Sequence, residues 1–134
     1  MTPVARAASG WAAQSGGAIA FLALAGWLPT SRLAGDAGRS ALAAGCGVAL
    51  LGALLGAAPV LLALARGGAE RPHVTAGWAM ALRSGATLAG ALVATLGTEV
   101  ARVPFLVWVA LAYGALLVVE TRWTVRWLAA GGAE

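Results

Sequence analysis

"GCGVALLGALLGAAPVLLALAR", residues Gly45 to Arg66, has no charged side chain before its final arginine. Extended back to Ser40 and ended at Ala65, it is the longest apolar run in the chain. Crossing a hydrocarbon core takes ~20 predominantly apolar residues, so the run reads as a membrane span with slack for tilt or for a bend at Pro59. Three further runs have the same character: Trp11 to Leu28, closed by Pro29; Trp78 to Gly97; and Pro104 to Val119. The last is expected to continue as a helix through "ETRWTVRWL" to Leu128. The expected fold is therefore all-α, a single domain over residues 1–134 with four transmembrane helices at 11–28, 40–65, 78–97 and 104–128.

Composition supports this reading. Hydrophobic residues make up 60% of the 134 and charged residues only 10%, whereas a soluble domain carries about 25% charged residues. Such a chain cannot clothe a globule in solvated side chains. All nine basic residues are arginine and none is lysine. With the heavy use of alanine and glycine, that pattern suits a GC-rich bacterial genome. The net charge of +4 does not indicate nucleic acid, because the arginines are scattered between apolar runs rather than gathered in a stripe. Cys46, the only cysteine, lies in an apolar run and reads as a small hydrophobe.

Arginine placement sets the expected orientation. Arg6, Arg66, Arg71, Arg83, Arg122 and Arg126 fall on one side, and Arg32, Arg39 and Arg102 on the other. Both termini are then cytoplasmic, in agreement with an even number of spans. Tryptophans mark the edges: Trp11 and Trp27 bracket the first run, Trp78 opens the third, and Trp123 and Trp127 follow the fourth. In "RWTVRWL" the arginines and the tryptophans each repeat at i, i+4, which places a helical extension at the cytoplasmic headgroups. Arg6 ahead of the first run raises the possibility of a signal peptide. "WLPTSR" follows instead of a small-x-small cleavage site, and the run reads as a retained span.

Two groups of residues stand out as candidate sites. Ala49, Gly52 and Gly56 share one helical face ahead of Pro59, and such small-residue faces let helix backbones approach closely. The face serves either packing within the chain or docking of a partner's helices. On the third run Ser84, Thr87, Ala91, Thr95 and Thr98 form a weakly polar stripe bordered by Arg83. The hydroxyls are expected to bond back to their own helix or to form a seam between helices. Arg83 lies roughly 7 Å along the axis from Trp78, so it is expected to snorkel to the cytoplasmic headgroups. A contact with a carboxylate of a partner or a lipid is the alternative.

Catalytic chemistry is not expected. Asp36, Glu70, Glu99 and Glu120 fall in loops or at span ends, and Glu134 is terminal. Glu120 is the deepest acid, and is expected to pair with a neighbouring arginine at the interface. His73 follows Pro72 in a loop, and one histidine without a carboxylate cluster is not a metal site. No catalytic residue, metal or cofactor is assigned.

The architecture resembles bacterial ATP synthase protein I, a small four-span membrane family. "GALLGAAPVLLALAR" is similar to that family's second helix, which has a proline late and a basic end. "AGWAMALRSGATLAGALVATL" resembles its third helix and "VPFLVWVALAYGALLVV" its fourth. Val60 stands where the family has asparagine. Arg83 to Thr87 stands where it has a Gly-Glu-x-x-Lys motif, so the chain reads as a divergent member. The resemblance implies a non-catalytic chaperone or accessory protein of the inner membrane that assists assembly of the rotor ring of c subunits. Magnesium supply, also proposed for the family, is less favoured because no intramembrane acid is in place to take octahedral Mg²⁺. The expected partners are membrane lipids and other membrane-protein helices, c subunits first, with a second copy of the chain as a further candidate. A small transporter or channel subunit, or an accessory subunit of another membrane complex, is the alternative.

Overall fold

Apolar backbone in a medium without water must satisfy its own N–H and C=O groups, and helices do so within one segment. The structure, a computed structural model, describes residues 2–68 and 70–132. Glu134, the terminal acid, lies outside the described residues. Three helices account for nearly all of the chain: α1 (Pro3–Ala65), α2 (Pro72–Gly97) and α3 (Arg102–Gly132). Each is long and apolar enough to cross a membrane.

As a straight rod the 63 residues of α1 would measure about 95 Å. Instead the helix folds back on itself. At Gly35 the backbone takes φ 61°, ψ −146°, a combination essentially confined to glycine. The arms on either side, residues 3–34 and 36–65, run antiparallel, and Ala7 of the first packs in one cluster with Ala57 and Val60 of the second. The first arm does not end at Pro29 as its sequence suggests; helical geometry continues to Gly35. Proline removes one backbone donor and crowds the preceding turn, but membrane helices tolerate it where local groups adjust. Ser31 Oγ donates to Trp27 O at 2.5 Å in that turn. Pro59 in the second arm likewise bends no helix to a stop.

The ends are built from ordinary capping chemistry. Thr2 Oγ1 accepts from Ala5 N at 3.2 Å ahead of Pro3, an N-cap followed by proline in the first turn. Gly68 closes the far end of α1, its N–H bonded to Ala63 O at 2.9 Å. Both Gly67 and Gly68 have positive φ there, as helix C-terminal motifs require.

The second arm of α1 is the central element. Leu42, Cys46, Ala49 and Ala53 pack with Ala112 and Leu116 of α3 and with Trp11, Ile19 and Leu22 of the first arm. Ala41 meets Phe105 and Val109 of α3, with Ala91 and Ala94 of α2 against them. Glycines permit the close crossings. A Cβ on Gly45 would sit 2.9 Å from Trp108 Cβ and 3.0 Å from Val109 N, and one on Gly26 would overlap the Trp108 ring. The Trp108 indole clasped between the two arms donates to Thr30 Oγ1 at 3.1 Å. Outward-facing positions are apolar instead: Phe21, Leu24, Leu33, Leu88, Leu92 and Leu96 are all exposed. Small residues inside and large apolar residues outside are the arrangement of a bundle that faces lipid.

Substitution at Gly45 should expose this dependence. Gly45→Ala must push backbone atoms of α3 and is expected to cost about 1–3 kcal/mol. Gly47→Ala, at a position with nothing within 4 Å of its Cβ, should cost nothing. Thermal unfolding of both variants in the same detergent provides the comparison.

A buried arginine–glutamate pair as the candidate functional site

Arg83 of α2 does not snorkel. It is only 3% exposed and points inward, where α3 presents Tyr113, Leu116 and Glu120 at helical spacing. Its Nη1 donates to Glu120 Oε2 and to Leu116 O, both at 3.0 Å, and its Nη2 to Tyr113 O at 2.9 Å. The guanidinium carbon lies 4.9 Å from the centroid of the Tyr113 ring, a cation–π distance. Each carbonyl has two lone pairs and can serve its own helix and the arginine at once. The other carboxylate oxygen, Oε1, accepts from Trp11 Nε1 at 2.6 Å. One ion pair thereby joins α2, α3 and the first arm of α1.

Small residues make room for it. Gly52 and Gly56 of the central arm face α2; a Cβ on Gly56 would lie 2.9 Å from Arg83 Cβ and 3.1 Å from Ala79 O. One on Gly52 would overlap Thr87 Oγ1. Ala49, Gly52 and Gly56 are all buried, and Pro59 is half-buried one turn beyond Gly56. The face the sequence offers to a partner's helices is thus covered by the chain itself, Gly52 and Gly56 by α2 and Ala49 by Ala112 and Leu116 of α3. Of the two uses open to it, packing within the chain occupies Gly52 and Gly56.

The polar patch expected at Arg83, Ser84 and Thr87 divides. Ser84 Oγ and Tyr113 OH share a hydrogen bond of 2.8 Å, a second polar tie between α2 and α3. Thr87 is buried against the central arm and its Oγ1 has no hydrogen-bond partner, nor has Arg83 Nε. Further along, Thr95 and Thr98 bond back to Ala91 O and Ala94 O at 2.7 and 2.5 Å. The stripe is therefore a seam at one end and self-bonded at the other.

Glu120 is also relocated. It is 6% exposed and pairs across the bundle with Arg83 rather than with an arginine beside it in sequence. Residues two apart on a helix point to different sides, so Arg122 cannot turn to the same face. Trp11, expected only as an edge marker of the first run, and Tyr113 complete the site. The signal was present in the spacing: Tyr113 and Glu120, seven residues apart, share a face of one helix.

Both carboxylate oxygens have donors, and the guanidinium is clamped between three acceptors and a ring. A cleft of about 80 Å³ between α2 and α3 reaches the pair, walled by Ala76, Ala79, Met80 and Leu117. That admits water, whereas small-molecule sites occupy ~300–1,000 Å³. Among the described residues no group of three or more His, Cys, Asp and Glu could hold a metal. Cys46 is buried in the core and His73 is exposed. No family model, curated protein or solved structure matches the chain.

Breaking a buried pair leaves one charge unpaired and typically costs ~3–5 kcal/mol. Arg83→Met and Glu120→Gln are each expected to destabilise the bundle on that scale, and the double variant by much less than their sum. A double-mutant cycle from equilibrium unfolding in detergent measures the coupling; additive losses would contradict the pairing.

Proposed function

We propose that this chain is a non-catalytic, four-span protein of the bacterial inner membrane, with both ends cytoplasmic, which works by packing against other membrane helices. The observation that carries the reading is the contrast between a self-satisfied interior and an apolar exterior. The buried charges pair with each other, while large apolar side chains face outward along every helix. The two arms of α1, of 32 and 30 residues, would be ~48 and ~45 Å long, each more than the ~30 Å of a hydrocarbon core. Counted with α2 and α3, they supply the four spans. Outward-facing glycines support helix docking: Gly17, Gly85 and Gly114 have open space where a Cβ would stand. With Gly52 and Gly56 already engaged by α2, a partner helix must meet one of these outer faces.

The resemblance to ATP synthase protein I makes the c subunit the first partner to test, in the role of an assembly chaperone. A transporter or channel subunit is the second reading, favoured by the charge pair at membrane depth and the cleft beside it.

Single cysteines in a Cys46→Ser background test the topology. Impermeant maleimide should label positions 2 and 70 only from the cytoplasmic side, and positions 36 and 99 only from the opposite side. Gentle extraction of the tagged full chain should retain c subunit, and liposomes containing it should show no ion flux above empty ones. Absence of c subunit refutes that assembly role; retention of another complex's subunits points to an accessory role there, and flux points to transport.

A further inference from the structure

Arg6 and the pair Arg122/Arg126 come from opposite ends of the chain, yet they line one open groove. The groove, of about 1150 Å³, runs between the first arm of α1 and the last turns of α3. Its lining contains three arginines and no carboxylate. Among the described residues the ion pairs are Arg39–Asp36 and Arg83–Glu120, so none of the three has a carboxylate within 4.0 Å there. At the opposite end Arg39 is held by Asp36 and Ser31 and lies over the Trp27 ring.

Two helical ladders build the groove. Arg6, Gly10 and Gln14 follow one another at i, i+4 on the first arm, and Val118, Arg122 and Arg126 do so on α3. The helices run antiparallel here, as the bonds from Trp11 to Glu120 and from Trp123 to Ala7 O show. The α3 ladder therefore passes from charge at the chain-end side to Val118 toward the middle of the bundle, and the first-arm ladder from Arg6 through Gly10 to the amide of Gln14. Trp123, 2% exposed, fixes the floor by donating to Ala7 O at 3.1 Å. Gly10 keeps the wall low where a bulky side chain would fill the groove.

A cationic mouth that leads to the open strip over Gly10 and Val118 matches one chemistry. We propose that the groove holds an anionic glycerophospholipid of the surrounding leaflet. Arg6, Arg122 and Arg126 bind its phosphate and an acyl chain lies over Gly10 and Val118. Arginine presents planar, multidentate donors suited to phosphate, and basic pockets between membrane helices on the cytoplasmic side bind such headgroups. The assignment rests on the membrane location proposed above but not on any partner helix. Failure to retain c subunit leaves it intact.

The test titrates phosphatidylglycerol or phosphatidylcholine into the full chain in neutral detergent, reading the unfolding midpoint and lipid retention by native mass spectrometry. Phosphatidylglycerol should half-saturate at a concentration at least about tenfold lower. The triple variant R6Q/R122Q/R126Q should lose that preference, R6K/R122K/R126K should keep most of it, and R32Q/R39Q/R102Q at the other end should keep all of it. Should the glutamine triple fail to fold, Arg126→Gln alone must weaken phosphatidylglycerol selectively. Equal binding of the two lipids, a preference that survives the triple substitution, or equal loss at the other end would overturn the assignment. So would full competition by inorganic phosphate, which would make the site one for the free anion.

Discussion

The Arg83–Glu120 pair is the interaction around which the bundle is arranged. An arginine on a membrane helix must reach an interface or find a partner, because an isolated charge in hydrocarbon is costly. Here α2 turns the charge inward, and the consequences spread through the packing. Glu120 must face α2, which fixes the rotation of α3. Trp11 must supply the second donor, which draws the first arm of α1 to the same level. Gly52 and Gly56 must lack side chains, or α2 could not lie close enough for the guanidinium to cross. A desolvated pair of this kind stabilises only when its remaining hydrogen-bonding capacity is used, and two carbonyls of α3 and an indole N–H use most of it.

This arrangement changes what the small residues mean. On sequence alone the Gly52/Gly56 face could serve this chain or a partner. In the structure it is the seat of Arg83 and Thr87, and Gly26 and Gly45 serve Trp108 in the same way. Packing without voids, rather than exclusion of water, holds membrane helices together, so Arg83, Thr87 and Trp108 are each met by a glycine. The outward glycines have no such complement within the chain. They are where the bundle still has capacity for close approach.

The fold was legible where it depends on composition and run length. The apolar runs, the helical class and the continuation of α3 past Glu120 all follow from residues near each other in sequence. The end of the first arm was less so. Pro29 reads as a terminator, but a membrane helix can pass a proline, and the turn falls at Gly35, where the backbone takes a conformation essentially confined to glycine. The site was half legible. Arg83, Ser84 and Thr87 were visible as polar residues in an apolar run, whereas spacing places Tyr113 and Glu120 on one face of α3 without saying that Arg83 and Trp11 meet it.

By itself the sequence determined that this chain is helical and membrane-like and that its basic residues concentrate toward one end. Those properties are sums over local residues, and hydropathy and helical period report them directly. Only the tertiary structure decided which way Arg83 points, that Glu120 receives it, and that Arg6 meets Arg122 and Arg126 across a groove. Each of these joins residues 30 or more positions apart, and is set by the relative rotation of whole helices. No local pattern encodes that rotation; it follows from which glycines lie opposite which large side chains once the helices are packed.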